Sequence, residues 1–467
     1  MFQKIKEKLG GRDFYRQLLV LVLPIIIQQG VTNFVSLVDN VMVGSLGTEE
    51  LSGVAIVNQL LFVFNLTVFG GLSGASIFGA QFYGKGDHKG VQYAFRYKIV
   101  FSVLLTMLCT ALMLTQGDAL IGMFLSESDS GGDLALTLQE AEKYLLWMLL
   151  GLVPFAVSQS YSSTLREAGE TVSPMAASIL AIGVNVTLNY ALIFGRLGFD
   201  PMGVKGAAIA TVISRYAEML FLIIYTAVRR SHFSFLRGAL RSLYVPWNVL
   251  KKILITGSPL VLNELLWSLA YTMINQNYST RGLTVVAATN ITGTASNMFS
   301  VLMFAMGAAA SILVGQQLGA GRISEAQTTG DRLLFFTVLL HGAVAVVVAA
   351  LSGVIPLMYN TEPEVRMLTT GLLLVSAAAL PIRAYAHLTY FIIRSGGRTV
   401  ITFMLDCMFA WLVPFPVSFV LCRYTAVPVA FVFFCVQFLD LIKVWIGRKL
   451  FVSGIWARNV VNERKRA

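Results

Sequence analysis

Hydrophobic residues recur along the chain in long runs that are separated by short polar segments. Crossing the ~30 Å hydrocarbon core of a bilayer takes about 20 apolar residues in helical conformation. Twelve runs of that size can be placed, at 17–41, 51–79, 92–116, 139–161, 172–194, 205–228, 253–277, 283–315, 331–355, 367–392, 399–421 and 427–447. The pattern therefore predicts an all-α integral membrane protein with twelve transmembrane helices.

Composition supports this class and excludes a water-soluble fold. The 467 residues are 56% hydrophobic and only 13% charged, with a mean hydropathy of +0.72, whereas soluble domains carry roughly 25% charged residues. The first apolar run continues past Leu37 without a small-residue cleavage site, so we interpret it as a first span and not as a signal peptide.

The net charge of +11 could indicate a nucleic-acid partner, but the placement of the basic residues argues against one. Most of the 35 Lys and Arg residues fall in alternate loops, including 4–16, 85–98, 229–252 and 448–466, whereas the loop at 117–138 carries acidic residues and no base. Such asymmetry is the positive-inside rule. It predicts a multi-pass protein of a cell inner membrane or plasma membrane with cytoplasmic N- and C-termini.

The chain contains an internal repeat. One constant shift aligns Pro24 with Pro259, Gln81 with Gln316, and Gly84 with Gly319. A second shift aligns 166–172 with 394–400, matching Arg, Gly, Thr and Val at the same positions. An even number of spans separates the copies, so they share their orientation, and we expect two six-helix bundles related by a pseudo-twofold axis along the membrane normal.

The repeat also predicts the domain organisation. The longest basic link follows the sixth span and is the natural hinge between the two copies. We expect an N-terminal six-helix lobe at 1–230, a cytoplasmic linker at 231–252, a C-terminal six-helix lobe at 253–450 and a cytoplasmic basic tail at 451–467.

The segment 79–86 resembles a phosphate-binding loop, but it lacks the required hydroxyl residue because Gly86 occupies that position. It also follows an apolar span instead of a strand. With no other nucleotide motif, we expect no cofactor and infer that an ion gradient supplies the energy, at ~2.3 kcal/mol per charge per 100 mV.

Ionisable residues within apolar runs are costly and therefore informative. Asp39, Glu264 and Asp406 have no basic residue one helical turn away and are our candidates for binding H⁺ or Na⁺. Arg383 also has no local partner and must find an acid on another helix. Asp406 is our candidate for that acid, so two roles stay open for it, ion coupling or pairing with Arg383.

Two other intramembrane pairs have i,i+3 spacing and are predicted to neutralise each other locally. They are Arg215 with Glu218, and Asp440 with Lys443. Two histidines within spans, His341 and His387, lack a neighbouring ligand at helical spacing, which favours core packing over a metal site.

Several motifs together resemble the multidrug and toxic compound extrusion (MATE) family over nearly the whole chain. They are Val38-Asp39-Asn40-Val-Met-Val-Gly44, Leu165-Arg166-Glu-Ala-Gly169-Glu-Thr171, Asn185-Val-Thr-Leu-Asn189-Tyr190, Gly203-Val-Lys-Gly206-Ala-Ala-Ile-Ala-Thr211 and Arg394-Ser-Gly-Gly397-Arg-Thr399. The resemblance implies a V-shaped pair of six-helix lobes that exports organic, often cationic, compounds in exchange for H⁺ or Na⁺.

The resemblance also implies roles for individual residues of the N-terminal lobe. Asp39 matches the ion-coupling Asp of the family, and Asn185, Asn189 and Thr211 match its polar companions. Some members carry a second Asp at the position of Asn189, so this chain lacks one carboxylate of that pattern.

In the C-terminal lobe, Glu264 matches an acidic residue that other members use for cation binding. The Asp that those members carry on span ten has no counterpart here, and Asp406 on span eleven is our own candidate for its substitute. Na⁺ at Asp39 or Glu264 is the alternative to a proton. We expect small-molecule substrates, chiefly lipophilic cations, a monomeric protein surrounded by membrane lipids, and no enzymatic activity.

The alternative function is that of a flippase from the same superfamily, which would move a lipid-linked saccharide or another lipid across the membrane. A flippase of that kind would be expected to line its cleft with several basic residues that bind diphosphate. Once the other basic residues are assigned to loops, only Arg215, Arg383 and Lys443 remain in the membrane interior, and two of them, Arg215 and Lys443, have acidic neighbours. The sequence therefore favours the antiporter.

Overall fold

The computed structural model describes residues 10–124, 133–229, 231 and 233–462, and the regular elements in these ranges are all helical. The membrane-spanning elements are α1 (Arg12–Gly44), α2 (Thr48–Lys85), α3 (His88–Gly122), α4 (Leu134–Leu150 and Leu152–Glu167), α5 (Val172–Ile193), α6 (Gly203–Val228), α7 (Trp247–Ser279), α8 (Leu283–Gly319), α9 (Ile323–Leu351), α10 (Pro363–Ser395), α11 (Thr399–Tyr424) and α12 (Val429–Val452). Each predicted span falls on one of them. The prediction of twelve transmembrane helices is confirmed.

Among these elements of the described chain, α4 is the one that consists of two helices joined at a sharp bend. Its two parts meet at Gly151 at an angle of 47°. The N-termini of α3 and α4 are capped by Asp87 and Asp133, whose carboxylates accept hydrogen bonds from backbone N–H groups of the first turn. Residues 125–132 of the acidic loop at 117–138, and the last five residues of the predicted basic tail, lie outside the described residues.

Large apolar side chains cover the outside of the helices. Leu104, Met107 and Leu108 on α3 are each more than half exposed, while Ala94 and Phe95 on the same helix are fully buried. A soluble protein does not present apolar surface continuously in this way. These exposed residues form the surface that lipid tails would contact.

Backbone contacts divide the chain into two compact units. The N-unit comprises Ile27–Gly79 and Asp87–Gly257, and the C-unit comprises Met1–Ile26, Ala80–Gly86 and Ser258–Ala467. The core of the N-unit is formed by apolar side chains of α2, α3, α4 and α6. The main core of the C-unit is formed by α8, α9 and α10 with the first half of α1.

These units differ from the predicted lobe boundaries at the first helix. Leu18, Leu21 and Ile25 of α1 are buried against α8 and α10 and therefore belong to the C-unit, although they precede the predicted C-terminal lobe by more than 200 positions in the chain. A sequence repeat shows which segments are copies of each other. It does not show which neighbours the two ends of a long helix contact.

The predicted linker is a folded segment that belongs to the N-unit. It contains two short 3₁₀ turns, and Phe233 and Phe235 are buried. Arg96 of α3 holds it by donating hydrogen bonds to the carbonyl oxygens of Ala239, at 2.6 Å, and Tyr244, at 3.0 Å. Helix α7 already begins at Trp247, inside the predicted linker.

The repeat is visible in a reciprocal contact between α2 and α8. A Cβ atom at Gly84 would collide with the carbonyl oxygen of Gln316, and a Cβ atom at Gly319 would collide with the carbonyl oxygen of Gln81. The repeat aligns Gly84 with Gly319 and Gln81 with Gln316, so the two contacts are made by equivalent residues of the two copies.

The glycines that end the repeated segments also share their backbone conformation. Gly86 and Gly321 both have φ of +78°, and Gly169 and Gly397 have φ of +84° and +76°. Only glycine adopts this left-handed conformation without a steric cost. The two copies therefore terminate their helices in the same way.

The chain beyond α12 packs back onto the C-unit. Trp456 is fully buried. The buried side chain of Gln81 donates hydrogen bonds to the carbonyl oxygens of Ser395, at 2.8 Å, and Arg458, at 3.1 Å, and accepts one from the N–H of Val460 at 2.8 Å. The described part of the predicted basic tail is therefore an ordered part of the fold.

We predict that Gly319→Ala destabilises the protein, because the added methyl group forces α8 away from α2. Overpacking of this kind costs about 1–3 kcal/mol. Gly293→Ala on the same helix is the matched control, since nothing lies within 4 Å of its Cβ position. Thermal unfolding in detergent should show a lower transition temperature for the first variant alone. Equal transition temperatures would contradict the close crossing.

Candidate functional site

The first candidate site lies in the N-unit around Asp39, which is half-buried on α1. Asn189 of α5 donates a hydrogen bond to Asp39 Oδ1 at 2.6 Å. Asn185 lies one turn earlier on the same face of α5. With its amide oriented so that the oxygen accepts from Thr211 Oγ1 at 3.3 Å, its nitrogen lies 2.9 Å from Asp39 Oδ1. The structure thus brings together all four residues predicted for this lobe.

The partners of Asp39 are neutral. Two amide groups donate to its carboxylate, and no Lys or Arg within the described ranges lies at salt-bridge distance from it. Asn189 Oδ1 is buried and has no hydrogen-bond partner among the described residues. Carboxylate, amide and hydroxyl oxygens are ligands that suit hard cations. The group can therefore hold a proton on Asp39, or Na⁺ among its oxygens, and its role stays a prediction.

The predicted local pair of Arg215 and Glu218 is not formed within 4 Å in the described structure. Arg215 instead donates to the carbonyl oxygen of Gly151 at 3.3 Å and lies 5.1 Å over the ring of Phe155. Glu218 accepts a hydrogen bond from Ser178 Oγ at 2.9 Å. Residues at i,i+3 can pair, but each side chain here has a better-placed partner on another helix.

A buried ion pair in the N-unit was not predicted. Lys98 of α3 is fully buried, forms an ion pair with Glu167 at the end of α4, and donates a hydrogen bond to Thr164 Oγ1 at 3.1 Å. The charge pattern had placed Lys98 among the basic residues of a cytoplasmic loop. The sequence signal that indicates burial of Lys98 is its position near the beginning of the third apolar run, 92–116.

The second candidate site lies in the C-unit, where Asp406 occupies a π-helical turn of α11, Met404–Met408. Such turns are frequent at functional sites. Asp406 Oδ2 accepts from Asn263 Nδ2 at 3.1 Å, and Asp406 Oδ1 lies 3.2 Å from Lys443 Nζ. The partner of Asp406 is therefore Lys443 and not Arg383.

The ammonium of Lys443 is shared between two helices. It lies 3.7 Å from Asp440 Oδ1 on its own helix, which confirms that predicted pair, and it reaches across to Asp406 on α11. Arg383 makes no hydrogen bond or ion pair with any described residue, so the expectation that it must find an acid is wrong. Its side chain is only partly buried, which relaxes that requirement.

Glu264 is the acid of this region that has no direct partner in the described chain. It lies next to Asn263 on α7 and is half-buried. Its charge interacts with those of Arg394 and Asp406 at longer range. It therefore stays the candidate for reversible ion or substrate binding in the C-unit.

The two intramembrane histidines pack against neighbouring side chains and backbone, as the sequence predicted. His387 lies between the rings of Phe304 and Phe391, at 5.1 Å and 4.8 Å, and His341 Nδ1 lies 2.9 Å from the carbonyl oxygen of Thr337. Among the described residues, no group of three His, Cys, Asp or Glu side chains could hold a metal ion.

Twelve apolar helices in two related copies, each with a carboxylate in the membrane interior, define a polytopic membrane transporter. The family model MatE matches residues 24–191 and 259–420, which are the two copies of the repeat. The chain belongs to the MatE family. It is therefore a multi-pass membrane transporter and not an enzyme, as the sequence predicted.

Curated relatives and solved structures agree with this membership. The chain is 25% identical to the probable multidrug resistance protein NorM of Thermotoga maritima, over 100% of this chain and 98% of that protein. It is 24% identical to the multidrug resistance protein MdtK of Pectobacterium atrosepticum, over 87% of each. Its fold matches an outward-facing multidrug resistance MATE family transporter of the MOP superfamily with a TM-score of 0.84, at 20% identity, over 96% of this chain and 98% of that chain.

We predict that Lys98→Met lowers the free energy of unfolding by about 3–5 kcal/mol, because it leaves Glu167 as a buried charge without its ammonium partner. The matched control is Lys143→Met, which removes an exposed pair with Glu140 of 2.7 Å and should cost about 0–1 kcal/mol. Unfolding in detergent by denaturant measures both. Similar losses for the two variants would show that the buried pair is not structural.

Proposed function

We propose that this transporter exports organic, often cationic, compounds in exchange for H⁺ or Na⁺. The observation that carries the proposal is the environment of Asp39, a half-buried intramembrane carboxylate that is bound by two amides and no base. A carboxylate that is neutralised by Lys or Arg has little reason to exchange its partner. One that is held by neutral donors gains a large electrostatic stabilisation from any cation that reaches it.

The multidrug resistance names of the relatives support the substrate class. The surroundings of Glu264 also support this substrate class. Trp267 and Tyr271 follow Glu264 by three and seven positions, so the three side chains share one face of α7. The two rings pack 4.4 Å apart and are half-buried. A lipophilic cation beside Glu264 would meet both a carboxylate and aromatic ring faces, which is the chemistry that binds such ligands.

Exchange follows if the coupling ion and the substrate use the same carboxylate. A proton or Na⁺ on Asp39 or Glu264 cancels the negative charge that an organic cation requires, so binding of one disfavours binding of the other. Alternating access of such a site to the two sides of the membrane then couples their movements in opposite directions. The asymmetry of basic residues supports cytoplasmic termini and export from the cytoplasm.

A lipid flippase is the second candidate, and one observation favours it. Arg383 is an intramembrane guanidinium with no ionic partner among the described residues, and a phosphate group is a ligand that would suit it. A single unpaired base is a weak basis for binding a diphosphate. Transport of a lipid-linked saccharide by reconstituted protein, without transport of organic cations, would favour this function instead.

We predict that proteoliposomes containing the wild-type protein export a fluorescent organic cation when a pH gradient or a Na⁺ gradient is imposed, each separately and without ATP. Asp39→Asn and Glu264→Gln should each reduce that export by about tenfold or more, since each 1.4 kcal/mol of lost binding is a factor of ten. An amide keeps the shape and the hydrogen bonding of the side chain but cannot carry the charge.

The control for these variants is Asp118→Asn, which removes an exposed acid at the end of α3. It should transport as well as wild type. Wild-type rates in a well-expressed Asp39→Asn or Glu264→Gln protein would remove that residue from the mechanism. Absence of export under both gradients would contradict the proposed antiport itself.

A further inference from the structure

One carboxylate of the C-unit already holds a cation that belongs to the protein. Lys443 Nζ lies 3.2 Å from Asp406 Oδ1, 3.7 Å from Asp440 Oδ1 and 5.2 Å from the centre of the Phe409 ring. Carboxylates and an aromatic ring face are the groups that bind an ammonium ligand. The lysine is therefore bound in the way that a cationic substrate would be.

Asp406 is positioned and accessible for such a ligand. The π-helical turn carries it, and Asn263 Nδ2 fixes its second oxygen at 3.1 Å. About a quarter of its side chain (26%) remains exposed, whereas the side chain of Asp440 is 12% exposed. Of the two acids that share Lys443, Asp406 is the one that an external cation can approach.

The surrounding charges balance as long as Lys443 is present. Three acids and three bases of the C-unit lie in this region, where their charges act on each other or on the same tyrosines: Glu264, Asp406, Asp440, Arg383, Arg394 and Lys443. Glu264 is the acid among them with no direct partner in the described structure. Glu264 is therefore the carboxylate that a ligand can bind without displacing a cation, whereas Asp406 is already bound by Lys443.

We propose that Lys443 is a tethered cation that competes with substrate for Asp406, and that it thereby restricts the C-unit to one substrate charge, at Glu264. Lys443 is then a specificity-determining residue that favours monovalent over divalent organic cations. This inference rests on the proposed function, because it assumes that organic cations bind near Glu264. Freeing Asp406 should create a second anionic position for a ligand with two positive charges.

The test uses ethidium, a monovalent cation, and propidium, which shares its phenanthridinium ring and carries a second positive charge. Equilibrium binding of each dye to the detergent-solubilised full-length protein gives a propidium-to-ethidium affinity ratio. Lys443→Gln should raise this ratio by about tenfold, because an unpaired carboxylate in partly buried surroundings attracts a nearby positive charge strongly. Lys443→Arg, which keeps the charge, should leave the ratio near the wild-type value.

A matched control is Lys449→Gln, on the same helix. Lys449 is exposed and lies over the ring of Trp445 at 3.6 Å, away from the acids, so the ratio should not change.

Two double variants separate the role of Asp406 from net charge and from stability. Lys443→Gln with Asp440→Asn removes one charge of each sign and frees Asp406, so the ratio should rise as in the single variant. Lys443→Gln with Asp406→Asn makes the same change in net charge but removes the freed carboxylate, so the ratio should stay at the wild-type value. Each double variant has the same net charge in this region as the wild type, whereas Lys443→Gln alone leaves one extra negative charge. The comparison of the two double variants therefore remains possible if Lys443→Gln alone does not fold.

An unchanged ratio in Lys443→Gln, or an equal rise in both double variants, would overturn the proposal. Binding is measured without any gradient, so the outcome does not depend on coupling. Failure of wild-type protein to bind either dye would count against the proposed function and its substrate class. Wild-type binding with no effect of Lys443 would count against this inference alone.

Discussion

Charge in the membrane interior is the constraint on which the rest of this structure depends. An ionised side chain away from water is stable only with a partner, and the kind of partner decides what the group can do. Glu167 is bound by a fully buried lysine and is structural. Asp39 is held by neutral amides, and we propose that it exchanges a cation. Glu264 has no direct partner within the described residues and is the equivalent candidate in the other unit.

The two copies of the repeat share a backbone plan but have diverged in these charges. The shift that aligns the starts of α3 and α9 places Lys98 on Leu333, and the second shift places Glu167 on Ser395. Both members of the buried ion pair are therefore absent from the second copy, where Leu333 is fully buried. The loss of both partners together is expected, because either charge alone would be left unpaired in the core.

Much of the fold could be predicted from the sequence, because spans and repeats are encoded in local hydrophobicity and in the spacing of Gly, Pro and Gln. The grouping of Asp39 with Asn185, Asn189 and Thr211 followed from the family resemblance, and the geometry agrees with it. Ion pairs between helices were harder to predict from the sequence. Lys443 could be matched to Asp440 by spacing, but its reach to Asp406 depends on how α11 and α12 pack, which no local pattern specifies.

The central claim is that substrate and coupling ion share a carboxylate. If so, the affinity for a monovalent organic cation must rise with pH, because loss of the proton creates the anion that binds it. Equilibrium binding to detergent-solubilised protein between pH 5 and pH 9 tests this most directly. The account predicts a rise in wild type that becomes flatter in Asp39→Asn or in Glu264→Gln. Affinity that is independent of pH in wild type, or equally dependent on pH in both variants, would contradict it.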